Sequence, residues 1–95
     1  MSKIVTLSGS TRFRDNLLEV YNELTMEGYI VLADFTDHSK QNEGNWKELV
    51  DKLHLEKIDL ADELFVVNVN GYIGDSTKRE IEYAKSKGKL IRYLE

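Results

Sequence analysis

Glu80 stands near the first turn of a helix-patterned segment, Thr77 to Lys87, that follows the apolar run Leu64-Phe65-Val66-Val67. The turn-forming stretch Asn68 to Ser76, which carries Gly71 and Gly74, separates the two. A carboxylate so placed lies beside the carboxyl end of a buried strand, where open α/β sheets bind their ligands. That position suits a small-molecule enzyme or binder. Glu80 also has a purely structural reading. Thr77-Lys78-Arg79-Glu80 has the spacing of a capping box, in which the glutamate accepts the backbone N–H of Thr77. Spacing alone does not separate the two roles. Asp75 and Ser76 are by type turn and cap formers. Tyr72, between two glycines, is either a stacking surface for a flat ligand or a locally packed ring.

A second group is Ser8-Gly9-Ser10-Thr11-Arg12, which combines a glycine, hydroxyls, a helix start and an arginine. Free N–H groups at a helix N-terminus favour an anion, and a guanidinium can fork two hydrogen bonds to phosphate. The segment is neither a P-loop nor the glycine pattern of dinucleotide folds, and it reads equally as a tight turn, a capped helix and a solvated arginine. His38 and His54 are the only histidines, and their neighbouring acids form no recognised metal pattern, so no metal site is expected. His54 follows the apolar Leu53 and reads as a boundary residue; His38 lies in a polar stretch and reads as solvated. No serine occupies a nucleophile elbow.

The elements that must position these groups follow from patterning. Ile4-Val5-Thr6-Leu7 is a first strand, ended by Ser8-Gly9-Ser10. A helix follows with Ser10 or Thr11 as its N-cap and Phe13, Leu17, Tyr21 and Leu24 at helical spacing, and Gly28 sits where a left-handed C-cap belongs. Tyr29-Ile30-Val31-Leu32 is the second strand, and Ala33 to Gly44 is a long polar loop of the kind that is often functional. Asn45-Trp46-Lys47-Glu48 has capping-box spacing and opens a second helix whose apolar face is expected to be Trp46, Leu49, Val50, Leu53 and Leu60. Asp62 is expected to start the third strand without touching substrate, and Leu90 to Leu94 is the last strand. The order βαβαβαβ implies a small, doubly wound α/β domain over residues 1–95, with a parallel sheet covered on both faces. Right-handed crossovers favour the flavodoxin-like strand order 2-1-3-4. In that order the loops after strands one and three face each other across one cleft.

Ninety-five residues make one domain with a single modest core. A net charge of −4 argues against binding to nucleic-acid polymers, which calls for a basic stripe. With no cysteine there is neither disulfide nor thiolate zinc, and no apolar run approaches the length that spans a bilayer. No signal-peptide core is visible at the N-terminus, so the expectation is a cytoplasmic chain without a membrane partner.

Three segments, in order along the chain, resemble the nucleoside 2-deoxyribosyltransferase family, and within it the 2'-deoxynucleoside 5'-phosphate N-hydrolase branch. Ile4 to Arg12 resembles the family's first strand and Gly-Ser-x-Arg loop. Ala61-Asp62-Glu63-Leu64-Phe65-Val66-Val67 resembles its Ala-Asp-plus-apolar strand. Glu80 to Lys89 resembles its helix leading to Gly-Lys, and is the most specific match. The resemblance implies that Glu80 is a nucleophile. It would attack the anomeric carbon of a nucleoside or its 5'-monophosphate and form a covalent glycosyl intermediate, with no cofactor. It implies further that Ser8, Gly9, Ser10 and Arg12 hold the sugar or its phosphate, that Ser76 and Asp75 assist, and that the protein is a homo-oligomer, in keeping with a four-stranded sheet whose edges need cover. Tyr72 is a candidate contact for the base.

The chain departs from that pattern at defined places. Thr6 stands where the family has a tyrosine, and Glu82 where it has a glycine. His54 occupies the place of the aspartate eight positions before the Ala-Asp aspartate, where an imidazolium can protonate a departing base. The C-terminal extension by which transferases complete a neighbour's site does not follow Glu95, which favours hydrolysis over base exchange. Three readings stand: a nucleoside or nucleotide N-glycosidase, a non-catalytic nucleotide binder using the same cleft, and a structural domain in which Glu80 only caps its helix.

Overall fold

The computed structural model describes residues 2–36 and 44–95; His38 and the middle of the long polar loop lie outside the described residues. Four strands, β1 (Ile4–Ser8), β2 (Ile30–Leu32), β3 (Glu63–Val66) and β4 (Leu90–Tyr93), form one all-parallel sheet in the order β2-β1-β3-β4. The helices α1 (Arg14–Met26), α2 (Trp46–Leu60) and α3 (Asp75–Ser86) alternate with them. This is the α/β, Rossmann-like architecture expected from the patterning. Several boundaries move by a residue or two. Ser8 belongs to β1, Glu63 opens β3 with Asp62 just before it, and a 3-10 turn over Thr11–Phe13 precedes α1, with Ser10 as its N-cap. Asp62 Oδ2 accepts the backbone N–H of Ile4 at 2.8 Å, an anchor between the starts of β3 and β1. Gly28 takes φ +98°, the left-handed conformation its position required.

Strand alternation divides the core. Val5, Leu7, Phe65 and Val67 pack with Leu17, Val20 and Leu24 of α1. Leu64 and Val66 pack with Ile58 of α2 and with Ile81 and Ala84 of α3. Thus α1 covers one face while α2 and α3 lie side by side on the other. On that second face β1 presents Thr6 and Ser8, which are 0% and 1% exposed. The Thr6 hydroxyl donates to the backbone carbonyl of Lys57 in α2 at 2.8 Å. A buried hydroxyl so bonded avoids the cost of an unmet polar group and ties the helix to the strand.

Helix α2 corrects the expected apolar face. Its buried residues are His54 and Ile58, with Val50 half-buried one turn before them, whereas Leu49, Leu53 and Leu60 are 55%, 44% and 68% exposed. Asn45 is the N-cap but makes no side-chain cap bond, so the expected capping box does not form.

Tyr83 of α3 donates to Asp59 Oδ1 of α2 at 2.7 Å, clipping together the two helices on that face. This bond to Asp59, together with burial and the nearby Asp59 and Glu56 charges, raises the phenol above its ordinary pKa of 10.0. The folded state therefore holds that proton more tightly than the unfolded chain. The stabilisation is complete below the ordinary value and is lost as pH rises through the raised one. Tyr83→Phe is expected to lower the melting temperature at neutral pH, with the gap from the parent closing in alkaline solution; thermal melts across that range test it.

Candidate functional site

Both ends of the expected cleft meet. A cavity of about 360 Å³ opens at the carboxyl ends of β1 and β3, within the size range of small-molecule sites. Gly9, Ser10 and Thr11 line it from the loop after β1, and Gly74, Asp75, Ser76 and Thr77 from the start of α3. Glu80 and His54 line it from α3 and α2. This is the switch point of the sheet, where the chain leaves β1 and β3 on opposite sides.

Glu80 does not cap its helix. Helix α3 begins at Asp75 with Gly74 as N-cap and no side-chain cap bond, so Thr77 already lies inside the helix and has no cap position to offer. The capping-box reading is overturned by those two residues of extra helix. Instead the Ser8 hydroxyl, from the central strand, donates to Glu80 Oε1. Among the described residues nothing hydrogen-bonds the other carboxylate oxygen, Oε2. The Glu80 side chain is 17% exposed, enough to be reached from the cavity and too little to be freely solvated.

His54 faces this carboxylate. Its Nε2 lies 3.5 Å from Glu80 Oε1, within ion-pair range but without hydrogen-bond geometry. The residue is only 7% exposed, and neither ring nitrogen has a hydrogen-bond partner among the described residues. Buried polar groups are almost always paired, and an unmet one costs about 1–3 kcal/mol. Both nitrogens are themselves buried, although His54 helps to line the cavity. The boundary-residue reading of His54 therefore gives way to a buried one. Its helix face is continued by Trp46 and Val50, each one turn apart, and by the ion pair Lys47–Asp51 at 3.2 Å, all of which line the cavity.

A scan of protein-family models finds no match to this chain, and a search of curated proteins finds no significantly similar sequence. What the site can do must be argued from its own residues.

The remaining candidates divide. Ser10, Asp75 and Ser76 reach the cavity, although Ser10 Oγ also accepts the Arg12 backbone N–H at 3.3 Å and Ser76 Oγ accepts from Arg79 at 3.1 Å. Ser8 was expected to touch substrate; it lies buried beneath the cavity and holds Glu80 instead. Arg12 and Tyr72 are not part of the lining. The Arg12 guanidinium stacks 4.3 Å from the centroid of the Tyr72 ring, and Phe13 meets that ring edge-on at 5.8 Å. They form an exposed clasp between the two site loops. Lys57 Nζ donates to the Ala33 carbonyl at 2.9 Å just after β2, where Ala33 and Asp34 add to the described wall. Sequence reasoning named His54 for the site but did not bring Trp46 and Val50 to its wall, although the four-residue intervals between the three carried that signal. Among the described residues no group of three or more His, Asp or Glu side chains is placed to hold a metal ion, and no helix is long and apolar enough to cross a membrane.

Gly9 shows how tightly the loop after β1 is held. A Cβ there would lie 3.0 Å from the Val67 carbonyl oxygen and 3.3 Å from the Val67 Cβ. Gly9→Ala is therefore expected to destabilise the fold by about 1–3 kcal/mol through overpacking, measured as a lower urea midpoint with an unchanged slope.

Proposed function

We propose that the protein is a cytoplasmic nucleoside N-glycosidase that works through a covalent glycosyl–Glu80 intermediate. The observation that carries this reading is the Glu80 carboxylate, held through one oxygen by Ser8 and facing, at the wall of a small-molecule cavity, the buried imidazole of His54, which has no hydrogen-bond partner among the described residues. The resemblance of three segments to the nucleoside 2-deoxyribosyltransferase family supports the same chemistry.

The steps balance. Glu80 Oε2 attacks the anomeric carbon as the bond to the base nitrogen breaks. The departing base takes the bonding electron pair and a proton from the His54 imidazolium. Neutral His54 then takes a proton from water, whose oxygen displaces Glu80 from the sugar and restores both residues. The cationic character of the transition state is stabilised by the glutamate it forms beside. Ser8 orients that carboxylate and does not touch the sugar.

The described lining carries Asp34, Asp51, Asp75 and Glu80 against Lys47 and His54, and Lys47 is already paired with Asp51. Arg12 stands outside the described lining. The substrate is a nucleoside or its 5'-monophosphate.

Base release from a panel of nucleosides and their monophosphates, with mass detection of a sugar adduct on Glu80, tests the reading. Glu80→Gln is expected to abolish both signals in a folded protein, and His54→Gln to slow base release by roughly 10²–10⁴-fold. Thermal stabilisation by nucleotides with no base released from any of them would instead establish a non-catalytic binder.

A further inference from the structure

Of the chain's asparagines, only Asn70 is followed by glycine. Asparagine is thermolabile because the next residue's backbone nitrogen can attack its side-chain amide, and glycine, with no side chain, shields that nitrogen least. Both residues are exposed, in the 3-10 turn Val69–Gly71 on the loop that leads from β3 to the cavity-lining Gly74. Yet the turn holds them in a shape that cannot react. Asn70 occupies the left-handed region at φ 55° and ψ 27°, which asparagine enters more readily than most residues. In that conformation the Gly71 nitrogen lies nearly opposite the Asn70 Cβ about the Cα–C bond, whereas ring closure needs the two on the same side.

Glu95 fixes this shape. Its Oε2 accepts the Asn70 N–H at 2.9 Å, while the Asn68 carbonyl accepts the Gly71 N–H at 2.8 Å. Asn68 is 6% exposed and keeps Glu95 in place. Its Nδ2 donates to the Glu95 carbonyl at 3.2 Å and its Oδ1 accepts the Glu95 N–H at 2.9 Å.

We infer that Asn70 is a site of spontaneous deamidation, and that the Glu95 carboxylate guards it by holding the turn in its unreactive form. When the turn opens, the Gly71 nitrogen loses its proton to solvent and bonds to the Asn70 Cγ. The Cγ–Nδ2 bond breaks, ammonia leaves with a proton taken from solvent, and a cyclic imide remains. Water opens the imide at either carbonyl, giving aspartate or, with one more carbon in the backbone, isoaspartate. No other reactant is needed. Either product adds a negative charge to the residue whose N–H Glu95 holds, so the guard is weaker in the modified chain. The same loop carries Tyr72 and its clasp on Arg12, so modification loosens one of the two loops at the site. The inference uses neither Glu80 nor His54 and is independent of the glycosidase reading.

Peptide mapping of the full chain, incubated in warm and mildly alkaline buffer, follows the loss of each amide. In urea Asn70 should be the first asparagine to convert, and in the folded protein the same conversion should be slower. Glu95→Ala should speed it in the folded chain by roughly 2–10-fold, the worth of one hydrogen bond, while Glu95→Gln keeps an acceptor and should stay close to the parent. Hydrogen exchange at the Asn70 amide should rise by the same factor in Glu95→Ala with the core amides of β1 and β3 unchanged, because one local opening governs both. Asn70→Asp should show the same local loss of protection around Gly71. Another asparagine converting first in urea overturns the inference. So does an Asn70 that converts as slowly in folded Glu95→Ala as in the parent, a loss of protection in that variant that spreads through the core, or an Asn70→Asp chain as protected as the parent.

Discussion

The structure depends on one departure from apolar burial: the central strand carries two hydroxyls, Thr6 and Ser8, on the face covered by α2 and α3. Residues two apart on a strand point the same way, so both hydroxyls enter the same layer. Each must find a partner, because an unmet buried hydroxyl costs more than a made one gains. Thr6 finds the backbone of α2 and Ser8 finds the carboxylate of Glu80 on α3. A single strand thereby sets the position of both helices relative to itself, and the Tyr83–Asp59 bond closes the triangle between them. His54 and Glu80 sit within that triangle, so their separation is fixed by bonds that neither of them has to supply alone.

Polar pairing on this face is uneven, and the unevenness has a chemical sense. Thr6, Ser8 and one oxygen of Glu80 are satisfied, while both nitrogens of His54 and the second oxygen of Glu80 have no hydrogen-bond partner among the described residues. A fold that can pair a buried threonine with a helix carbonyl has no difficulty pairing an imidazole. His54 and Glu80 line the cavity, whereas Thr6 and Ser8 are not part of its lining. Held from below and open above, a carboxylate is oriented before any ligand arrives, which reduces the entropy lost in reaching a reactive geometry.

Much of the fold was legible because βα alternation leaves a strong periodic trace. Leu64 to Val67 and Leu17 to Leu24 declared their elements, and the handedness of crossovers then left few strand orders. The loops after β1 and β3 were correctly placed across one cleft for the same reason. The errors came where composition is ambiguous. In α2, leucines occur on the outer face and a histidine on the inner one, so hydrophobicity alone selected the wrong stripe. An exposed leucine stripe and a core seam look alike in one sequence. The first turn of α3 was misjudged because Asp75 and Ser76 are turn formers that here begin the helix, and that shift of two residues created a capping box on paper. Ser8 was taken for a loop residue because serine is rare inside a central strand, and the pairing partner that permits it lies 72 positions away.

Under the proposed reaction, a histidine at position 54 plays a part that a second acid close to Glu80 would not. A carboxylate placed 3.5 Å from another is repelled by it, so two acids at that separation can hold two roles only by sharing a proton. Glycosidases that use two carboxylates keep them further apart, at about 5 Å or more. In the proposed reaction, an imidazolium there is attracted to the glutamate and has a proton to give to a leaving base. Once that proton is gone, the neutral ring exerts no net charge on the carboxylate, and the nitrogen left bare accepts a proton from water. In that reading, the close approach of His54 to Glu80 sets beside the nucleophile a group that alternates between cation and neutral base.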